Sequence, residues 1–162
     1  MKYMTEQEHT CCFTGHRPQK LSRPEADIRA DLEKAIQLAI SDGYTTFITG
    51  MATGTDIWAG EIIVRLRTSH PALRLIAAVP FPSFPDRWRA DWKRRYEDLL
   101  NSAEEIHYIC PSYSRSAFQL RNQWMVDRSS RIIAVFNGEP GGTKNTIEYA
   151  KRIGIENVIL DG

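Results

Sequence analysis

The amino-acid sequence predicts an α/β fold with a mostly parallel sheet of about six strands, in a single domain covering residues 1–162. Three observations carry that expectation. Short apolar runs alternate regularly with stretches of helical periodicity along the chain. Two of these runs, Leu73 to Val79 and Ile132 to Phe136, are almost unbroken, as in strands buried on both faces. The turns that follow strands are rich in glycine or proline, whereas those leading into strands are plain. Right-handed crossovers would gather the strand-to-helix turns, which begin at Gly15, Gly50, Pro80, Pro111 and Gly138, along one edge of the sheet. That edge is where open α/β folds bind ligands.

Residues 1–9 are expected to be poorly ordered. Thr10 to Thr14 reads as a first strand, ending at Gly15-His16-Arg17-Pro18. Ser22-Arg23-Pro24-Glu25 fits a capping box, and Gly43 is placed to close the helix that follows. Between them Ile28, Leu32, Ile36, Ala39 and Ile40 form one apolar stripe. Thr45 to Thr49 is a second strand, and Gly50 to Asp56 turns the chain into a helix striped by Trp58, Ile62 and Leu66. The third strand, Leu73 to Val79, ends in a proline-rich loop, Pro80 to Pro85, that cannot be helical. A third helix is expected from about Asp86, with Trp88, Trp92, Tyr96 and Leu100 at four-residue steps. Ile106 to Cys110 is a fourth strand, Ala117 to Ser129 a fourth helix, Thr143 to Arg152 a fifth, and Asn157 to Leu160 a last strand.

Composition narrows the function. With 42% hydrophobic and 25% charged residues, the chain is an ordinary globular sequence, not a disordered one. A net charge of +1 gives no global attraction to nucleic acid or anionic lipid, so nucleic acid is not an expected partner. Met1 to Arg17 holds no apolar signal core, and no stretch nears the roughly 20 apolar residues of a membrane span. A cytoplasmic protein without membrane attachment is therefore expected. The three cysteines form no C-x-x-C pair. Cys11 and Cys12, adjacent in a strand, point to opposite faces, so free thiols and no metal site are expected.

The strongest chemical signal is Asn137-Gly138-Glu139-Pro140-Gly141-Gly142-Thr143-Lys144-Asn145-Thr146, a glycine-rich turn between a strand and a helix. Such a turn offers free backbone N–H groups and a positive helix end to an anion. Gly138, Gly141 and Gly142 would let backbone approach a phosphate, and Thr143 and Thr146 would donate hydroxyls. The stretch is not a P-loop, and no G-x-G-x-x-G occurs, so an ordinary dinucleotide-dependent dehydrogenase is not indicated. Gly50, Gly54, Thr55 and Asp56 form a second strand–glycine–helix junction. Asp56 either caps the helix or accepts from ribose hydroxyls. Gly15, His16 and Arg17 follow the first strand, and an arginine there suits phosphate oxygens or a surface ion pair. Arg121 and Asn122, beside Phe118 and Met125, sit at a boundary position where Arg121 reaches a ligand or pairs with a carboxylate. Phe81 belongs to the proline-rich loop, and Trp88, nearest that loop, is a candidate for stacking on a base. Arg87, Arg89, Lys93, Arg94 and Arg95 read as a solvated basic face. No Ser-His-Asp order, metal-ligand spacing or paired carboxylates name a hydrolytic mechanism.

Four ordered motifs resemble one family: Thr14-Gly15-His16-Arg17-Pro18, Pro80-Phe81-Pro82, Arg121-Asn122-x-Trp124-Met125-Val126-Asp127, and Gly141-Gly142-Thr143-x-x-Thr146-x-x-Tyr149-Ala150. Together they look like the YpsA-like group of the superfamily uniting DNA-processing protein A and Lonely Guy proteins, known as SLOG. The resemblance runs from about Thr10 to Asp161. It implies a Rossmann-like three-layer sandwich, a site for a phosphate-bearing nucleotide-derived small molecule such as AMP, ADP-ribose or an NAD-derived nucleotide, and a homodimer. Lonely Guy members cleave the N-glycosidic bond of nucleoside monophosphates with an Arg-Lys-x-x-Met helix and a Pro-Gly-Gly-x-Gly-Thr-x-x-Glu loop. Arg121 and Met125 match the first motif, with Asn122 in place of lysine, and Pro140, Gly141 and Gly142 open the second. Counting without gaps sets Glu148 at the catalytic glutamate, while anchoring on Thr146 sets Tyr149 there. The resemblance thus implies binding of a nucleotide, with Glu148 and Arg121 as catalytic candidates for a nucleoside 5'-monophosphate N-glycosidase. Its DNA-processing members imply single-stranded DNA binding as a further alternative.

Overall fold

In the computed structural model, which describes residues 5–162, the apolar runs become six parallel strands. These are β1 (Thr10–Gly15), β2 (Thr46–Thr49), β3 (Arg74–Val79), β4 (Glu105–Tyr108), β5 (Arg131–Phe136) and β6 (Glu156–Asp161). They lie in the order β4-β3-β2-β1-β5-β6, every neighbouring pair parallel. Five helices connect them: α1 (Glu25–Ser41), α2 (Thr55–Leu66), α3 (Ala90–Ser102), α4 (Ala117–Asp127) and α5 (Gly142–Ile153). The result is the Rossmann-like α/β sandwich expected.

Two apolar layers sandwich the sheet, and alternation along β1 assigns them. Cys11 and Phe13 face a core built with Ile28, Leu32 and Ile36 of α1, Ile62 and Ile63 of α2, and Leu99 of α3. Cys12 faces the other side, against Met125 and Val126 of α4 and Ala150 of α5. Both thiols are fully buried and free, and burial pushes the Cys12 thiol up to about 12. The first layer is cross-linked by charge: Arg95 of α3 binds Glu61 of α2 at 2.6 Å and Glu25 of α1 at 3.1 Å, and Arg29 also reaches Glu61 at 2.7 Å.

The chain winds one way from β1 through β4, then crosses back to place β5 on the far side of β1. The loops after β1 and β5 therefore diverge onto opposite faces and open a crevice between them. They are tied at the rim: the Asn137 side chain donates to the Lys20 carbonyl at 3.0 Å. At the floor, the first turn of α2 packs against the end of β1. A Cβ on Gly15 would lie 2.2 Å from Thr55 Oγ1, so the absence of a side chain there permits the contact.

Several local expectations change. Thr5 to His9 is ordered: Glu6–His9 is a 3-10 turn with the capping box made by Thr5 and Glu8. The rest of the segment expected to be poorly ordered, residues 1–4, lies outside the described residues. The Ser22–Glu25 capping box is not formed, because Ser22 Oγ donates to the Gly162 carbonyl and Pro24 occupies the cap of α1. Helix α3 starts at Ala90, four residues late, because Asp86 and Trp88 bond back to Ser83 and Pro85 as turns. Helix α4 ends at Asp127, with Ser129 Oγ closing onto the Met125 carbonyl at 2.8 Å.

Gly15→Ala is expected to destabilise the fold by ~1–3 kcal/mol, the usual cost of overpacking. Gly142→Ala, which meets open space, is expected to stay within ~0.5 kcal/mol. Urea unfolding of the two variants checks the contrast.

Candidate functional site

The crevice between the β1 and β5 loops holds a cleft of about 250 Å³. Its lining includes Gly15 at the end of β1, His16, Arg17 and Lys20 after it, Ala52 and Asp56 at the head of α2, Phe118, Arg121 and Asn122 of α4, and Gly141, Gly142 and Thr143 at the head of α5. Four stretches far apart in sequence thus share one wall system. A second cavity of about 450 Å³ runs between α4 and α5, lined by Arg115, Gln119, Gln123, Asn145, Thr146, Glu148, Tyr149 and Arg152. Phe118, Asn122 and Gly142 line both spaces.

The β5 loop delivers a helix end to the cleft. Gly141 caps α5 at φ 143°, a backbone region that disfavours side chains, and its carbonyl accepts the first helical bond from Asn145 N–H at 3.0 Å. The N–H groups of Gly142, Thr143 and Lys144 precede that bond and have no acceptor inside the helix. No atom lies within 4 Å of a Cβ built on Gly141 or Gly142, so the backbone stands open to the cleft. Thr143 lines the cleft. Thr146 does not: its hydroxyl donates to the Gly142 carbonyl at 2.8 Å, one helical turn back, and its side chain lines the α4–α5 cavity. Gly138 lines neither space. Its expected approach to phosphate is replaced by a turn in which Asn137 Oδ1 accepts from Glu139 N–H at 2.9 Å.

Three cations, Arg17, Lys20 and Arg121, line the cleft against one carboxylate, Asp56. Arg121 is 5% exposed, its Nε donating to Asn122 Oδ1 at 2.8 Å and Nη1 to the Gly50 carbonyl. The contribution of Gly50 is therefore its carbonyl and its lack of a Cβ, which would sit 2.8 Å from both Arg121 Nη1 and Asp56 Oδ2. Burial pulls the Arg121 guanidinium down from its ordinary value, with Asp56 acting the other way. Burial likewise pushes the Asp56 carboxyl up, opposed by Arg121, the Ala52 N–H and Arg17. Asp56 Oδ2 accepts from Ala52 N–H at 3.2 Å, while Oδ1 is buried with no partner among the described residues. His16, also 5% exposed, stacks on Phe136 at 5.6 Å and leaves Nε2 unpartnered. Burial lowers its pKa, and Lys20 adds to the shift, with Glu139 and Asn137 acting the other way. Gly54 caps α2, and Thr55 is buried behind Gly15, so these two shape the floor without lining the cleft.

Two aromatic candidates lie elsewhere. Phe81 is buried among Phe84, Tyr113 and Phe118. Trp88 packs edge-on against Phe84 and Tyr96, on the α3 side. Neither lines the cleft or the α4–α5 cavity, so Trp88 is not placed to stack on a base there. Lys20, Arg115, Gln119, Gln123, Asn145 and Arg152 are not among the candidate site residues of the sequence, and Phe118 figures there only as a flank of Arg121 and Asn122. Their signal was helical spacing: 115, 119, 122 and 123 on α4 or its approach, and 145, 148, 149 and 152 on α5. The basic run divides, with Arg95 committed to Glu25 and Glu61 and Arg89 to Asp91 at 3.2 Å.

Comparison with known proteins places the chain in a family. The family model described as the YspA SLOG family matches residues 11–157. The chain belongs to the YpsA family of SLOG proteins. Among YpsA relatives, a UPF0398 protein of Bacillus cereus (strain G9842) is 29% identical over 154 residues, covering 89% of this chain and 84% of that one. DNA processing protein A of Streptococcus pneumoniae superposes with a TM-score of 0.67 at 16% identity, covering 97% of this chain and 52% of that one. The same protein from Helicobacter pylori, described for its single-stranded DNA binding mode, gives 0.66 at 15% identity, covering 95% of this chain and 66% of that one. The YpsA chain thus spans about half of the first structure and about two thirds of the second, and both share its fold. Among the described residues no helix is long and apolar enough to cross a membrane.

Folding raises the Asp56 pKa, so the native state keeps that proton to a higher pH than the unfolded chain. Stability contributed here therefore declines as pH climbs from the ordinary value of 3.8 through the native one, then levels. Asp56→Asn lacks this titration. Thermal melts are expected to show the variant gaining on the native protein as pH rises through that window.

Proposed function

We propose that the protein binds a phosphate-bearing, nucleotide-derived small molecule, with AMP, ADP-ribose and NAD as the forms to test. The supporting observation is the convergence in one cleft of the open N-terminus of α5 with Arg17, Lys20 and Arg121. A helix N-terminus and surplus positive charge both favour an anion. In this reading the phosphate meets Gly141, Gly142 and Thr143. The remainder of the ligand extends past Phe118 and Asn122 into the α4–α5 cavity. The two spaces together fall in the roughly 300–1,000 Å³ range of small-molecule sites.

A second reading, cleavage of the N-glycosidic bond of a nucleoside 5'-monophosphate, draws on Glu148. Of the two residues competing for the glutamate position, Tyr149 is engaged, its hydroxyl donating to Asp127 Oδ1 at 2.6 Å. Glu148 is exposed in the cavity wall and accepts no hydrogen bond from the described residues. It is thus available to stabilise an oxocarbenium-like centre. Arg121 is a weaker catalytic candidate, because its guanidinium already holds Gly50 and Asn122. Single-stranded DNA binding gains little from the divided basic run on and before α3.

Calorimetric titration with AMP, ADP-ribose and NAD is expected to show saturable binding of at least one. Lys20→Ala and Thr143→Val should each weaken it by about tenfold, the loss of one charge-assisted contact. A single-stranded oligonucleotide at low salt, where phosphate contacts are strongest, is expected to give no shift. Failure of all three nucleotides to bind overturns the reading. Incubation with AMP tests the alternative: release of free adenine that Glu148→Gln abolishes would establish turnover, and no release would remove it.

A further inference from the structure

His16 brings a buried ring nitrogen to the wall of the cleft. Its backbone N–H bonds to the Val135 carbonyl at 3.4 Å and its ring stacks on Phe136, so the side chain is held beside the end of β5. The residue is 5% exposed and lines the cleft, and Nε2 has no partner among the described residues. A purely apolar ring would fill the same place without leaving a buried polar atom unpaired.

Two kinds of ligand atom can complete Nε2: a donor facing a bare nitrogen, or an acceptor facing an N–H. The surrounding charge chooses between them. Arg17 and Lys20 line the cleft from the same loop and Arg121 from α4, against Asp56 at the head of α2. That lining has a surplus of two positive charges, and an anion is what it attracts. Anion oxygens accept hydrogen bonds, so Nε2 must carry the proton. In the free cleft burial and Lys20 disfavour the imidazolium, while Glu139 and Asn137 on the β5 loop act the other way. A phosphate dianion seated beside the ring supplies opposite charge at short range and tips that balance toward the charged form. The added proton comes from solvent and occupies whichever ring nitrogen the neutral tautomer leaves bare.

We propose that His16 holds the phosphate by taking up a proton as the ligand binds, so that the cleft selects nucleotides ending in a phosphomonoester over those whose phosphates are all bridged. The inference rests on the proposed nucleotide site and narrows its class of ligand. Above about pH 6 a monoester carries a second negative charge on one phosphorus. A bridged phosphate never gains it, and so offers the imidazolium less. His16 acts here as a specificity-determining residue.

The experiment titrates the full chain at about pH 7.5 with AMP and with NAD, whose two phosphates are both bridged. Calorimetry in non-phosphate buffers of different ionisation heat counts the protons exchanged. The native protein is expected to take up a fraction of a proton with AMP, and to bind it more weakly as pH rises from about 7 to 8.5. It should prefer AMP to NAD by at least about tenfold, the difference of one charge-assisted bond. His16→Gln keeps an N–H donor but does not titrate; it should bind AMP without proton uptake or pH dependence and with a smaller preference over NAD. Imidazole 15N resonances give a second reading: of the chain's four histidines, His16 alone should become imidazolium when AMP is added. AMP bound without proton uptake, uptake that survives in His16→Gln, or NAD bound as tightly as AMP overturns the inference while leaving the nucleotide site standing. Failure of AMP, ADP-ribose and NAD alike overturns both. Should His16→Gln fail to fold, the proton count and resonances of the native protein decide the matter.

Discussion

The site depends on a single topological constraint, the reversal of winding between β1 and β5. Parallel strands joined by right-handed crossovers lay successive helices on one face as long as the chain advances in one direction. When the chain returns past β1 to form β5, the next helices must cover the opposite face. The loops leaving β1 and β5 then part above adjacent strand ends, and no helix fills the gap. Everything in the cleft follows from that gap: two helix ends brought to one place, the Gly15–Thr55 contact that seats α2 beside it, and the Asn137–Lys20 bond that ties its rim.

Electrostatics in the cleft are arranged by burial as much as by contact. Asp56 and Arg121 lie side by side without a direct ion pair, each deprived of water and each moderating the other's shift. Removing either partner would leave an uncompensated charge in a dry setting, which is why such pairs are costly to break even when they add little net stability. Arg17 disfavours charge on Arg121 and favours ionised Asp56, so the three charges are coupled to one another.

Much of this was legible in the chain. Apolar runs such as Ile132 to Phe136 marked strands because both faces of a parallel strand are covered, and the glycines at 141 and 142 marked the helix entry. What was misread turned on local alternatives of similar energy. Ser22 satisfies the Gly162 carbonyl instead of the helix it precedes, and Thr146 closes on its own helix instead of facing the cleft. Trp88 fits the helical spacing of Trp92 and Tyr96, yet the prolines before it hold the chain in turns until Ala90. The α4–α5 cavity was invisible for a different reason. Its two walls come from helices separated by β5, and no window of sequence contains both. Only the polar stripes at 119, 122, 123 and at 145, 148, 149, 152 hinted that each faced something other than core.

Phe118 is a wall of both cavities and also a member of the aromatic cluster with Phe81 and Phe84. With Asn122 and Gly142 it forms the wall shared by the two spaces, while its ring also packs on the loop after β3. The shape of both chambers is consequently tied to a proline-rich segment that borders neither, and substitutions in that segment would reshape them at a distance by tilting the shared wall.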